Sequence, residues 1–113
     1  MKHPELPLMN ALRIAEAADV GKKLSRLRKA RGLRQLDAAR RAGLSRSTAV
    51  LIEAGDAGRT LAQLLRYLDA IAPTLSLVQL LQESDPSLKA LAESEATRRV
   101  RKLSATELKK LDF

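Results

Sequence analysis

Residues 33–55, LRQLDAARRAGLSRSTAVLIEAG, contain two short segments that each have the composition of a helix. Gly43 lies between them, and glycine can adopt the positive φ that a sharp corner requires. Ser45 is a suitable N-cap for the second segment, and Gly55 is a suitable end. The stretch therefore predicts helices over residues 35–42 and 46–54, joined by a tight turn.

Two further helices are predicted on either side of this pair. Residues 17–31 carry an apolar stripe at helical spacing and are followed by Gly32, which is typical of a helix end. Residues 61–71 are rich in leucine, follow the potential N-cap Thr60 and precede the helix breaker Pro73. The centre of the chain is therefore expected to be a small helical bundle.

The C-terminal third is less clearly patterned. Residues 74–82 fit a helix better than a strand, although the pattern leaves both open. Ser84-Asp85-Pro86 places a cap before a proline, which predicts a helix running toward Lys102. Residues 104–107, Ser-Ala-Thr-Glu, match a capping box and predict a separate short last helix. The charge-rich segment from Ser84 onward is also compatible with partial disorder.

The positive charge is concentrated in one part of the chain. Residues 22–46 hold ten basic residues and one acid, Asp37, so this stretch carries +9 while the whole chain carries +8. Such a local excess is typical of a surface that binds a polyanion, although a solvated helix face is the alternative. Aromatic residues make up 2% of the chain, which argues against base stacking on single strands.

Several classes of protein are disfavoured by composition. The chain has no cysteine, so it has neither disulfides nor thiolate-bound metal. We find no apolar leader and no apolar run of the roughly 20 residues that a membrane span needs, and we expect a cytoplasmic, nucleoid-associated protein. His3 is the only histidine and precedes Pro4 in an end that we expect to be loose. Without a defensible catalytic arrangement, phosphate loop or metal site, we expect no enzyme and no cofactor.

The predicted corner sorts the side chains of its second helix into two faces. Leu44, Ala49 and Ile52 are expected to face inward, toward Ala39 of the first helix. The side chains left on the outer face are those of Arg46, Ser47, Val50 and Leu51. One helix fits into the major groove of B-DNA, and its N-terminal residues reach the edges of the bases.

At this point the sequence resembles the lambda-repressor-like (Cro/XRE) family of helix-turn-helix DNA-binding proteins. The resemblance covers about residues 20–72 and rests on Arg28, Gly32-Leu33, Gln35, Ala39, Gly43, Leu44-Ser45, Ile52-Glu53 and Gly55. It implies an all-α helix-turn-helix bundle over 20–72, with an N-terminal extension over 1–19 and a dimerisation segment and basic helical tail over 73–113. Ala38, Ala42 and Ala49 stand where the family usually has larger aliphatic residues, which predicts closer helix packing or a core that uses Leu33 and Leu36.

The resemblance also implies roles for individual residues. It implies that Arg46, Ser47 and Leu51, with Val50 beside them, contact the bases. It also implies that Arg28 and Glu53 form a buried ion pair. Arg46 could instead clamp a phosphate, Leu51 could contact a thymine methyl or simply pack, and Ser47 could read through water. Contacts to the DNA backbone are assigned to Lys23, Arg34, Gln35, Arg40, Arg41, Ser45, Thr48 and Arg59.

One small motif makes few base contacts, so we expect a homodimeric repressor on a palindromic operator of double-stranded DNA. The dimer surface is predicted to consist of Leu75, Leu77, Val78 and Leu81. A second basic cluster, Arg98, Arg99, Arg101 and Lys102, either adds DNA contacts or is a solvated face. The family resemblance and the size further suggest a HipB- or HigA-like antitoxin whose partner is a HipA-like kinase or an RNA-cleaving toxin. The alternatives are a regulator without a toxin and a protein-interaction module with no DNA role.

Overall fold

The computed structural model describes residues 6–83 and 85–111, with side chains over residues 7–83 and 85–100. This part of the chain is helical and contains no strand, which confirms the all-α prediction. After a short 3-10 helix at Leu6–Leu8, the elements are α1 (Ala11–Ala30), α2 (Gln35–Ala42), α3 (Arg46–Glu53), α4 (Leu61–Ile71), α5 (Leu77–Leu81) and α6 (Pro86–Leu111).

Helix α1 is longer than predicted. It begins at Ala11, whereas the apolar stripe indicated a start near residue 17. Asn10 caps it, because its side-chain oxygen accepts a hydrogen bond from the Arg13 backbone N–H at 3.0 Å. Residues 11–18 include four alanines, whose helix propensity extends the helix without any buried stripe. Much of the segment assigned to an N-terminal extension is therefore the first half of α1.

The core lies where α1, α2, α3 and α4 meet. Helix α2 packs against α3 and α4, and α1 packs against α3. Small residues make these approaches close, since Ala38, Ala39 and Ala49 are fully buried beside larger neighbours. Leu33 packs partly against this core, whereas Leu36 remains exposed. The largest fully buried side chains are Tyr67, Leu24, Leu27, Ile52 and Leu80.

Two glycines allow α1 to cross the end of α3 at backbone distance. A Cβ atom on Gly21 would lie 2.6 Å from the Gly55 nitrogen and 2.7 Å from the Ile52 oxygen. A Cβ atom on Gly55 would lie 2.5 Å from the Ala18 Cα, and Gly55 itself has φ +74°. Because no side chain fits at either position, this contact fixes the C-terminal end of α3 against α1.

The C-terminal third of the chain forms two helices that pack against α1. Residues 77–81 form the short helix α5, which confirms helix over strand, and Ser76 with Gln79 forms a capping box at its start. Asp85 caps α6, accepting a hydrogen bond from the Ser87 N–H at 2.9 Å, and Pro86 takes the first helical position. Leu80 and Leu88 join the core, so α5 and α6 are anchored to the bundle.

The separate last helix predicted from residue 104 is wrong, because α6 continues to Leu111. No glycine or proline occurs between Ser87 and Leu111, so nothing interrupts the backbone hydrogen bonds there. His3, Pro4 and Ser84 lie outside the described residues, as do the side chains of Arg101 and Lys102. None of the helices in the described part has an apolar stretch sufficient to cross a bilayer.

Candidate nucleic-acid interface

The corner between α2 and α3 is held from both sides. Gly43 ends α2 in the left-handed conformation, at φ +69°, and the Leu44 N–H donates to the Ala39 carbonyl at 2.9 Å. Arg66 reaches across from α4 and donates to the carbonyls of Ala42 at 3.2 Å and Gly43 at 2.9 Å. The guanidinium therefore satisfies the end of α2 and ties the corner to α4, a role that the sequence analysis did not assign.

A network of hydroxyl groups organises the first turn of α3. The Ser45 Oγ accepts a hydrogen bond from the Thr48 N–H at 3.1 Å, as an N-cap does. The same Oγ lies 2.9 Å from the Thr48 hydroxyl and 3.0 Å from the Ser47 hydroxyl. Ser45 and Thr48 thus shape the start of α3, which places Arg46 and Ser47 at its exposed N-terminal end.

Helix α3 has one buried face and one face open to solvent. Ala49 and Ile52 are buried in the core. Arg46 and Ser47 are exposed on the other side, together with Val50 (46% exposed) and Leu51 (37% exposed). The four residues predicted to read bases therefore share the open face. Within the described residues Arg46 forms no ion pair, so its charge is available to a ligand.

The far end of α3 is anchored by a charged cluster. Arg28 and Glu53 are brought together as a two-pronged pair, with Nε–Oε2 at 2.7 Å and Nη2–Oε1 at 3.0 Å. Their side chains are only 11% and 7% exposed. The Tyr67 hydroxyl donates to the same carboxylate, and Arg28 also donates to the Leu33 carbonyl at 2.8 Å. This cluster links α1, α3 and α4, and so sets the orientation of α3.

The pKa values in this cluster follow from burial and hydrogen bonding. Burial alone would raise the pKa of Glu53, but the hydrogen bonds from Arg28 and Tyr67 outweigh it and lower that pKa. The bond to Glu53 raises the pKa of Arg28. Burial, followed by the bond to Glu53, raises the pKa of Tyr67. At neutral pH the cluster therefore consists of a carboxylate, a guanidinium and a neutral phenol.

Most of the predicted backbone-contacting residues lie on α2 and α3. Gln35 opens α2, and Arg34 before it provides no side-chain cap, so the first N–H groups of α2 are available to an anion. Arg34 is 85% exposed on its side chain and pairs with Asp37 at 3.2 Å. Arg40 and Arg41 are exposed on the last turn of α2 and form no ion pair within the described part of the chain.

Two further predicted phosphate contacts, besides Arg34, already have carboxylate neighbours. Arg59 lies in the loop after α3 and pairs with Asp56 at 3.4 Å. Lys23 lies on α1 and pairs with Glu83 at 3.1 Å and with Asp19 at 3.6 Å. The structure therefore places Lys23 at the contact between α1 and the C-terminal segment rather than beside α3.

The predicted dimer residues fall into two groups. Leu75 and Leu77 are half-buried and pack against the core of the monomer. Val78 and Leu81 are 63% and 45% exposed, and their spacing puts both on one side of α5. The apolar surface left for a partner on α5 is therefore smaller than the four residues named from the sequence.

Helix α3 is short, exposed on one face and held by a tight corner on α2, where Arg40 and Arg41 form no ion pair with any described residue. This arrangement defines a DNA-binding helix-turn-helix domain. The chain belongs to the helix-turn-helix domain family, whose model matches residues 19–81, from the middle of α1 to the end of α5. This agrees with the Cro/XRE-like resemblance. No curated protein and no solved structure gave a match.

Proposed function

We propose that this protein is a sequence-specific transcriptional repressor that binds palindromic double-stranded DNA as a homodimer. The observation that carries the proposal is the open face of α3. Arg46, Ser47, Val50 and Leu51 project together from a helix whose opposite side is buried. In this proposal Arg46 donates to guanine in the major groove, and Val50 and Leu51 contact thymine methyl groups.

The surroundings of α3 support a docking role. The uncapped start of α2 offers N–H groups to one phosphate, with Gln35 beside them. Arg40 and Arg41 add positive charge next to the corner, and Arg34 adds more at the start of α2. These contacts supply affinity and register, while the outer face of α3 supplies the choice of sequence.

Dimerisation follows from the limited number of base contacts that one α3 helix can make. In our proposal the exposed Val78 and Leu81 of α5 meet their counterparts on a second copy. The antitoxin role, with a HipA-like kinase or an RNA-cleaving toxin as partner, is a narrower proposal that rests on the family resemblance. Its test is whether the adjacent gene encodes such a toxin and whether the two proteins purify together.

One experiment tests the repressor proposal. A duplex is selected from a random pool with the wild-type protein, and its binding is measured by fluorescence anisotropy against a scrambled duplex. We expect a palindromic selected site bound by two chains. The double variant Arg46→Ala/Ser47→Ala should weaken this binding about tenfold or more.

The matched control is Lys89→Ala, which removes one exposed positive charge from α6 instead of α3. It should leave the preference for the selected duplex unchanged. Equal binding of the selected and scrambled duplexes by the wild type would refute sequence-specific repression. A non-palindromic site bound by one chain would refute the dimer.

A further inference from the structure

The basic surface of α1 is covered in part by carboxylates from the C-terminal segment. Arg26 forms a two-pronged pair with Glu95, with Nη2–Oε1 at 2.7 Å and Nη1–Oε2 at 3.1 Å. Arg31 donates to Asp85 at 2.6 Å, and Lys23 donates to Glu83 at 3.1 Å. Three of the ten cations in residues 22–46 are thus neutralised by acids that follow α5 in the chain.

These carboxylates are held in place by the fold. Asp85 is 4% exposed and accepts from the backbone of Ser87 while it binds Arg31. Leu88, one turn into α6, is buried against the core. Asp85 is therefore held firmly on an anchored segment, and Glu83 and Glu95 lie on either side of it in the chain and face α1.

Two of the paired acids, Asp85 and Glu95, have lowered pKa values and are ionised at neutral pH. The hydrogen bond from Arg26 lowers the pKa of Glu95. Burial opposes ionisation of Asp85, but the bonds from Ser87 and Arg31 outweigh it and lower its pKa. Each of these two carboxylates therefore cancels one positive charge on or directly after α1 at neutral pH.

Neutralising these cations affects how strongly the protein prefers its operator over DNA of unrelated sequence. Non-specific binding depends on cations that contact phosphates, and each contact adds about 0.9 to the salt slope. Arg31 lies three residues before Arg34, close in the chain to the start of α2 where a phosphate is proposed to bind. Unpaired cations along α1 would attract DNA without regard to sequence.

We propose that Glu83, Asp85 and Glu95 are specificity-determining residues, because they withhold Lys23, Arg31 and Arg26 from non-specific contacts with phosphates. The inference rests on the proposed DNA-binding function. It assigns a role to acids outside the helix-turn-helix, which is to reduce the number of free cations on and directly after α1.

The test measures binding to a random-sequence duplex between about 50 and 200 mM salt, the range over which phosphate contacts change affinity strongly. Glu95→Gln should tighten this binding several-fold at the lowest salt and steepen the salt slope by about 0.9. The matched control is Glu93→Gln, which removes the same charge from α6 at an exposed residue with no partner on α1 among the described residues. Equal effects of the two variants would overturn the proposal.

A second variant separates charge release from loosening of α6. Arg26→Gln/Glu95→Gln removes both partners, and the proposal requires its salt slope to return to the wild-type value. A slope that stays steep would attribute the effect to detachment of α6, or to Arg98 and Arg99, which also lie near Glu95, and would overturn the proposal. Circular dichroism establishes that each variant retains its helix content.

The outcome also separates this inference from the proposed function. If Arg46→Ala/Ser47→Ala abolishes preference for the selected duplex while Glu95→Gln behaves as Glu93→Gln, only the role of the acids is overturned. If the wild-type protein binds no duplex, both proposals fall.

Discussion

Helix α1 packs against both α3 and α6, and the two contacts are built differently. Toward α3 it offers Gly21, which meets the α3 backbone, and Arg28, whose ion pair with Glu53 is almost fully buried. Toward α6 it offers Arg26, whose ion pair with Glu95 is about one-third exposed on both side chains, at 32% and 33%. The same helix therefore makes one contact from which water is largely excluded and another that remains accessible to solvent.

The difference in solvent exposure between the two contacts determines how each responds to salt. A buried ion pair has a rigid geometry and is screened little by salt, whereas exposed pairs are weak and salt-sensitive. The orientation of α3 should therefore be insensitive to ionic strength, while the pairing between α1 and α6 should respond to it. The domain therefore holds α3 through a buried ion pair, whereas the Arg26–Glu95 pair between α1 and α6 stays accessible to solvent and salt.

The largest expected effect comes from breaking the buried pair. Arg28→Ala should lower the free energy of unfolding by about 3–5 kcal/mol, because it leaves the Glu53 carboxylate buried without its cation. Urea denaturation followed by circular dichroism measures this loss. The control is Arg26→Ala on the same helix, which should cost much less because its pair is partly solvated. Equal losses would contradict the contrast between the two contacts.

The helices that surround the corner could be predicted because their ends are marked locally. Gly43, Ser45 and Thr60 act within one turn of their own positions, and α2 and α4 have the predicted bounds while α3 is one residue shorter. Local sequence signals did not predict the start of α1, because the helix begins at Ala11, before its apolar stripe. They failed again for α6, where the capping-box pattern at residue 104 occurs in a continuous helix.

The open face of α3 followed from helical periodicity, and the family resemblance implied the Arg28–Glu53 pair, but the partners of the other cations could not be predicted. Arg26 and Glu95 are 69 residues apart in the chain, and Arg66 caps a helix 23 residues before it. Nothing in a single sequence marks such long-range pairs, since each side chain alone resembles a solvated charge. This is why Lys23 was assigned to DNA although the structure pairs it with Glu83. The base-reading and phosphate-contacting roles stay predictions.

An intermediate effect is expected at the glycine contact between α1 and α3. Gly21→Ala should destabilise the protein by about 1–3 kcal/mol, because the added Cβ would meet backbone atoms that cannot move independently. Alanine in a helix is otherwise favoured over glycine by about 1 kcal/mol, so the sign of the change is informative. Gly58→Ala is the control, since its Cβ would meet only the movable Asp56 side chain, at 3.0 Å. A stabilising Gly21→Ala would show that the contact is looser than described.

The smallest expected effect is a pH dependence of the buried pair. The pKa of Glu53 is lower in the folded protein than its ordinary value of 4.5, so folding favours its ionised form. The resulting stabilisation is fully present above about pH 4.5, and it is lost as the pH falls through the lower folded-state pKa. Between pH 6 and pH 3.5 the wild type should therefore lose more stability than Glu53→Gln, which has no carboxylate to protonate at this position. Because all other acids titrate in both proteins, the difference between the two pH profiles isolates Glu53. Parallel pH profiles would mean that folding does not change the pKa of Glu53. That result would contradict the assignment of a buried ion pair that orients the end of α3.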